Sequence, residues 1–478
     1  MKKRVSIAFI LCLLLGLFPA CRSGETGSST PKLAAEAQKE KDASSAQREE
    51  GAEVLRVLTD FDCLSRSQRQ THIPTTSQAK WGKQTFASIL KHFGGTPNGM
   101  EVELEVLPTD QELYQAQLTH LRTEIMSGAG PDVFHMSGFG GGIQGLPEST
   151  LFPNPENAMA SGFFLPLDEY VENARFMELD KLQKTVMDAG CYKGSRYILP
   201  MFYRLPVGLL RREEEPGALP ASWDEAVASP DGEIRQQYAR AAEEIPGFRE
   251  TAFGRIADNA GQELLISQEE LFARTKEALS LVREFSQGPK GREIDDSIWY
   301  LDYRLLDSAG DGAAYTFFTP RNPEGGVNAP IETWCAVNKN TSYPEDAFSI
   351  VDMMLSRDFL SAEIFWETRN FMPGRIELLG YTVPGALPVC DSLMLDTPDP
   401  QTGIGWFFVP DAEQRKAFQE AEKSVNCAYF TSNLDREIDR MFMELADQVY
   451  AGEEVTDEEI RKAAGQCYST LKMMLAES

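Results

Sequence analysis

Apolar and polar positions recur along this chain with two different periods, and the changes from one to the other mark its elements. A mostly apolar run from Val5 to Leu17 follows Lys2-Lys3-Arg4, and from Ser23 to Glu53 large apolar residues become scarce. The pattern of a fold begins at Val54-Leu55-Arg56-Val57-Leu58, a predicted strand that opens into Thr59-Asp60-Phe61-Asp62. Ile89 and Phe93 share one face of a helix predicted over 85–93, and Met100 to Val106 alternates with period two. Leu121 and Ile125, one turn apart, predict a helix. It ends in Ser127-Gly128-Ala129-Gly130, which tolerate positive φ, and at Pro131, which cannot carry it further. Val133-Phe134-His135-Met136 then reads as a short buried strand, with a Gly-rich loop from Ser137 to Gly142 at its carboxyl end. The order strand, helix, strand, helix, strand predicts an α/β layer with a mainly parallel sheet, in which ligands bind outside the carboxyl ends of the strands.

The same reading continues to the C-terminus. Phe163 to Val171 starts a helix with Pro166 near its beginning, and Tyr192 to Arg196 is a turn. Tyr197 to Tyr203 is extended, but Pro200 bars an ordinary central strand and suits a segment that crosses between lobes. Ser222 with Glu225 is a capping box, and Leu271, Ala278 and Val282 recur at helical spacing within a helix over 270–285. Ile298 to Leu301 and Ala313 to Thr319 read as extended, Pro320 to Pro330 as a loop, and Thr333 to Asn338 as a strand. Ser342 with Glu345 predicts a second capped helix, bearing Ala347, Phe348, Val351 and Met354. From Asn433 two helices follow. Ile438, Met441, Phe442 and Leu445 line the first, Gly452 ends it, and Thr456 with Glu459 caps the next. No internal repeat is evident.

Length and charge narrow the class. A chain of 478 residues exceeds one ordinary core and predicts two lobes of about 150 to 200 residues. Its 42% hydrophobic and 25% charged residues are those of a globular protein. The formal charge of −27, more negative still without Lys2, Lys3 and Arg4, argues against nucleic acid and anionic membrane surfaces as partners. The basic residues, the apolar run and Phe18-Pro19-Ala20-Cys21 match the three parts of an export signal over 1–20, and a run of 13 residues is too short to span a bilayer. Ala20-Cys21 resembles the lipobox of bacterial lipoproteins, although Phe18 stands where that motif prefers Leu. The resemblance implies lipidation of Cys21, with residues 21–53 as a disordered tether reaching on the order of 30 Å. Outside the signal, Cys63, Cys191, Cys335, Cys390, Cys427 and Cys467 are widely spaced without a CxxC, so disulfides and buried thiols both remain open.

Taken together, these landmarks resemble the extracellular solute-binding proteins of ABC importers, in the group that includes many sugar-binding lipoproteins. The similarity rests on Thr123-Glu124-Ile125 through Gly130-Pro131-Asp132-Val133, Phe164-Leu165-Pro166-Leu167-Asp168-Glu169, Lys193-Gly194 through Pro200, and Pro220 with Trp223-Asp224-Glu225. It continues through Ala336-Val337-Asn338-Lys339 to Phe348, and Tyr450-Ala451-Gly452 to Glu459. The resemblance implies a two-lobed type II periplasmic-binding-protein-like fold joined by a hinge. Lobe 1 would comprise 54–200 with 334–383, and lobe 2 would comprise 201–333 with 384–478. It also implies a monomer outside the cell membrane that hands a small solute, an oligosaccharide, to ABC permease subunits, with no cofactor and no catalysis. The small-Ala-Met stretch preceding the family's second-lobe ligand aromatic is not visible, and 307–319 stands in its place.

A sugar cleft needs aromatic platforms and side chains for bidentate hydrogen bonds. Loops at strand ends offer Asp60, Phe61, Ser137 and Phe139. The crossing segment offers Tyr203 and Arg204, and later parts offer Trp299, Tyr300, Trp334 and Trp406. Tyr203 and Trp334 stand at the expected lobe crossings, whereas Trp223, inside a capping motif, reads as packing. Arg204 reads equally as a ligand contact and as a structural ion pair. The four histidines show no metal spacing and no G-x-S-x-G elbow is present, and residues 396–406 lack the EF-hand alternation of a calcium loop. With 73 acidic residues a surface glycoside hydrolase stays open as an alternative, as does a non-saccharide sensor or adhesin on the same scaffold.

Overall fold

The computed structural model describes residues 53–60, 86, 89–91, 93–108, 110–137, 150–206, 208–211, 220–243, 247–286, 315–361, 386–390 and 412–477. The predicted export signal, Cys21, nearly all of the tether, and Phe61, Cys63, Phe139, Trp299, Tyr300 and Trp406 lie outside them.

The described chain opens with β1 (Val54–Thr59), β2 (Glu101–Val106), helix α1 (Gln111–Met126) and β3 (Val133–Ser137). Short helix α2 (Pro155–Ala160) and hairpin β4 (Cys191–Tyr192) and β5 (Ser195–Arg196) lead into β6 (Ile198–Arg204) and β7 (Gly208–Arg211). A helical stretch follows, with α3 (Trp223–Val227), α4 (Gly232–Glu243), α5 (Gly247–Ala252), hairpin β8 (Ala257–Asp258) and β9 (Glu263–Leu264), and α6 (Gln268–Ser286). The chain returns through β10 (Tyr315–Phe318), β11 (Val327–Val337), α7 (Pro344–Met354) and β12 (Ala386–Pro388). It closes with α8 (Ala412–Lys423), β13 (Val425–Phe430), α9 (Asn433–Tyr450) and α10 (Asp457–Glu477).

One mixed sheet organises the molecule, in the order β12-β6-β11-β3-β1-β2, with β13 also paired to β11. β1 runs parallel to β2 and β3, and β13 parallel to β11, whereas β11 is antiparallel to β3 and β6. All eleven residues of β11 are buried. Its first half pairs with β13 and its second half with β3 and β6, so this strand lies at the centre of the sheet.

The described residues form two hydrophobic cores, the first of them along that sheet. The first gathers Leu55 and Val57 of β1, Leu118 and Leu121 of α1, Phe134 of β3 and Ile350 and Val351 of α7. The second is built from helices, with Trp223, Tyr238, Phe248, Leu271, Phe442 and Leu471 at its centre and the Phe248 and Phe442 rings stacked at 4.1 Å. Met201, Tyr203, Leu205, Val327, Ala329 and Ile331, which the sequence assigns to the second lobe, pack into the first core. Strand pairing explains this, because β6 and β11 are held to β3 as one ladder before the chain moves away.

Three local expectations need correction. Pro200 does lie inside a central strand. It is tolerated because β12 pairs only with Phe202, Tyr203 and Arg204, and because the β11 register shifts beside it at Thr333/Trp334. The loop predicted over 320–330 ends early, since Val327 to Pro330 already pair with β13. Helix α7 begins at Pro344 behind Tyr343 without a side-chain cap, so Ser342 and Glu345 form no capping box there. The other two boxes form at least in part: Ser222 Oγ accepts from Glu225 N at 3.3 Å, and Glu459 Oε2 accepts from Thr456 N at 2.8 Å.

The Gly-Pro-Asp turn is a structural hub. Gly130 adopts φ 104°, and a Cβ there would stand 3.0 Å from Ile125 Cγ1, so both conformation and space call for glycine. Asp132 Oδ2 accepts from Arg56 N at 2.8 Å, its Oδ1 from Thr341 Oγ1 at 2.6 Å, and its carbonyl from Asn338 N at 2.8 Å. One half-buried residue thereby ties β1, β3 and the turn after β11 together. Asp132→Ala is expected to cost about 2 kcal/mol, the magnitude of losing bonds to a charged acceptor, read as a lower midpoint of urea unfolding with m unchanged.

Candidate ligand-binding site

β1 and β3 run in parallel with Thr59 opposite His135, so Asp60 and Ser137 emerge side by side where both strands end. The Asp60 carboxylate accepts from Ser137 N at 2.8 Å and from Ser137 Oγ at 2.9 Å while only 2% exposed. Burial outweighs those hydrogen bonds and lifts its pKa to about 7. Thr59 Oγ1 lies 3.0 Å from His135 Nδ1, and burial depresses the imidazole to about 4, so His135 is neutral at physiological pH.

The far side of this region carries charge on the crossing strands. Arg204, at the end of β6, places Nε 2.6 Å from Glu332 Oε1 on β11 and Nη2 against Glu250 on α5, all three side chains being buried. Burial raises the pKa of Glu332, Arg204 opposes the rise, and Glu250 adds to it. Beside this trio, Arg249 Nε donates to Asp435 Oδ1 at 2.6 Å and Arg249 N donates to Asp439 Oδ1 at 2.9 Å. The same guanidinium lies 4.2 Å from the centre of the Tyr429 ring. Burial raises Asp439 well above the usual carboxylate range, with Glu250 adding to the rise.

What distinguishes the region is its unpaired hydrogen-bonding capacity. Among the described residues, Arg249 Nη1, Thr333 Oγ1, Trp334 Nε1, the Tyr429 hydroxyl, Thr431 Oγ1 and Asp439 Oδ2 are buried without a hydrogen-bond partner. They are linked in the fold. Ile331 pairs with Phe430, Thr333 pairs with Ser137, the Trp334 ring lies 6.0 Å from that of Phe430, and Arg249 reaches both Tyr429 and Asp439. A buried polar group left unmet costs about 1–3 kcal/mol, so several at one strand junction mark a candidate site for a polar ligand.

Of the residues singled out in the sequence, Asp60, Ser137, Tyr203, Arg204 and Trp334 fall within the described chain. Asp60 meets Ser137 and Arg204 meets the buried carboxylates. The Tyr203 hydroxyl, by contrast, donates to Glu422 Oε1 at 3.3 Å while the ring is 1% exposed. Trp334 is 1% exposed among Phe152, Phe164 and Phe430, with its indole N–H left unpaired. Trp223 is fully buried and donates to Glu277 Oε2 at 3.0 Å. Arg249, Glu250, Glu332, Thr333, Tyr429 and Thr431 were not legible as site residues. The one local signal among them is a charged Glu332 inside an otherwise apolar run.

The two cores also meet at Glu156 of α2, whose Oε2 accepts from Arg255 Nη2 at 3.0 Å and from Asn259 Nδ2 at 3.1 Å. Among the described residues, Cys191, Cys335, Cys427 and Cys467 are free thiols, and no group of three or more His, Cys, Asp or Glu side chains is placed to hold a metal. No described helix is long and apolar enough to cross a membrane.

No protein-family model matches the sequence, and no curated protein matches it. The fold, in contrast, is similar to solved structures along most of its length. An extracellular solute-binding protein of family 1 from Alicyclobacillus acidocaldarius shares 14% identity over 89% of this chain and 98% of its own, with a TM-score of 0.54. The sugar-binding protein MalE from Xanthomonas citri shares 12% over 89% of this chain and 98% of its own, also at 0.54. A periplasmic oligogalacturonide-binding protein from Yersinia enterocolitica shares 12% over 89% of this chain and 99% of its own, at 0.51. At such identity the likeness establishes the fold, which is the mixed α/β architecture of the type II periplasmic binding proteins.

Proposed function

We propose that this chain, which has the fold of the extracellular solute-binding proteins, captures a solute between its two lobes and delivers it to an ABC permease without chemically changing it. The solute is a carbohydrate, an oligosaccharide by preference. The observation that carries this reading is the set of buried, unpaired hydrogen-bonding atoms where β11 meets β13, opposite the Asp60–Ser137 pair. Hydroxyl groups both donate and accept, so a sugar can meet indole N–H, guanidinium and hydroxyl partners at once. Two of the solved structures sharing the fold are named for binding sugars or sugar polymers, which supports the carbohydrate class. The chain is exported, lipidated at Cys21 and held as a monomer at the outer face of the cell membrane, where the tether lets the lobes reach the permease. Lobe closure on the solute creates the form the permease selects.

A ligand that binds only the native state raises its stability by RT ln(1 + [L]/Kd), about 2.7 kcal/mol at a hundredfold excess over Kd. Thermal unfolding of the full chain with a panel of neutral oligosaccharides is therefore expected to give a rise of a few degrees for one structural series. A panel in which amino acids or peptides raise the midpoint and saccharides do not would remove the carbohydrate assignment and leave solute binding in place.

A further inference from the structure

The charge of the solute is narrowed by the groups around the β11–β13 junction. Among the described residues two buried guanidiniums face that junction, and carboxylates already match both of them: Arg204 is held between Glu250 and Glu332, and Arg249 is held on Asp435. Two further carboxylates stand nearby. Asp60 takes its hydrogen bonds from Ser137, and Asp439 takes its bond from the backbone N–H of Arg249. Among the described residues each of these two cations is therefore already met by a buried carboxylate, and an arriving anion would find neither guanidinium unmatched.

The unpaired atoms point the same way. Trp334 Nε1 and Arg249 Nη1 donate, the hydroxyls of Thr333, Tyr429 and Thr431 donate and accept, and the carboxyl oxygen Asp439 Oδ2 completes the set. A sugar hydroxyl complements both kinds. A carboxylate or phosphate only accepts, so it would leave the accepting capacity unused and bring a charge into a buried acidic setting. At longer range, a chain of formal charge −27 repels anions before they arrive.

We infer that the site selects a solute without negative charge, a neutral oligosaccharide or an amino sugar, and rejects uronates, sulfated sugars and sugar phosphates. This rests on the carbohydrate reading above. Isothermal titration of the full chain at pH 7.5 with maltotriose, cellotriose and β-1,4-galactotriose, each set against its uronate counterpart, and with a glucosamine trimer, tests it. At least one uncharged or cationic trimer is expected to bind, with its uronate at least tenfold weaker. A uronate binding as tightly as its neutral counterpart overturns the charge inference alone, and silence from every saccharide overturns the carbohydrate reading together with it. The variant Glu332→Gln releases one carboxylate from Arg204 and is expected to narrow the neutral-to-uronate gap at least threefold, with folding checked by thermal unfolding. A folded variant with an unchanged gap overturns the assignment of selectivity to this cluster. Asp60→Asn offers the same comparison should Glu332→Gln not fold.

Discussion

Replacing Arg204 with methionine is expected to cost about 3–5 kcal/mol of folding stability, the usual loss when one partner of a buried ion pair is removed. Arg204 is the shared counter-ion of Glu250 and Glu332, and those two side chains are only 1% and 3% exposed. Without it two carboxylates face each other away from water, and one or both must take up a proton or draw water into the crossing region. The defect therefore depends on pH. Removing the cation raises the folded-state pKa of both acids, so the lost stability is smallest near pH 5, where they protonate readily, and largest above pH 7. Glu250→Gln and Glu332→Gln added to Arg204→Met remove the stranded charges, and the triple variant is expected to recover most of the loss. Urea unfolding at pH 5.0 and 7.5 decides the matter. A single variant that loses less than about 1 kcal/mol at pH 7.5, or a triple variant no better than the single, would show that the trio does not hold the crossing strands.

Elements whose signals are local were legible in the sequence. α1 announces itself through Leu121 and Ile125, one turn apart and both buried, and it stops where Gly128 and Gly130 take positive φ. α9 shows its buried face as Ile438, Met441, Phe442 and Leu445 and ends at Gly452. What remained hidden depends on partners distant in sequence. Val327-Asn328-Ala329-Pro330 contains a proline and an asparagine and reads as loop. It becomes a strand because Val425 to Phe430 lies alongside it, and Asn328 Nδ2 is consumed by the carbonyl of Phe253 at 2.6 Å.

The candidate site divides in the same way. Asp60 and Ser137 could be picked out because each follows a short apolar strand, and the carboxyl end of such a strand is a place where ligands bind. Arg249 and Glu250 could not. They lie on α5, a six-residue helix whose residues are all buried, and no period in the sequence distinguishes a charged residue sealed against Asp435 or Arg204 from one facing water. Trp334 was legible as an aromatic at a crossing. Its ring belongs to the packing of Phe152, Phe164 and Phe430, and only its indole N–H is left for a ligand.

Asp60→Asn is expected to make the protein more stable at pH 8 and not at pH 4. Burial raises the folded-state pKa of this carboxyl from 3.8 to about 7, so the folded chain binds its proton more tightly than the unfolded chain does. Stability from this group is then fully present below the unfolded pKa of 3.8 and is lost as pH rises towards 7, because the folded state must give up a proton it prefers to keep. At one pKa unit per 1.36 kcal/mol the penalty above pH 7 approaches ~4 kcal/mol as an upper bound. Asparagine keeps an acceptor for Ser137 N and a polar group for Ser137 Oγ without carrying charge. The difference in unfolding midpoint between Asp60→Asn and the parent should accordingly be near zero at pH 4, grow through pH 5 and 6, and level off above pH 7. A constant offset across that range, or a parent more stable at pH 8, would mean that the Asp60 carboxylate is ionised without penalty in the folded chain. If Asp60 also bonds a sugar hydroxyl, the same variant loses affinity for the neutral trimer while gaining stability, and that pairing of opposite signs marks a side chain whose charge serves binding at the expense of folding.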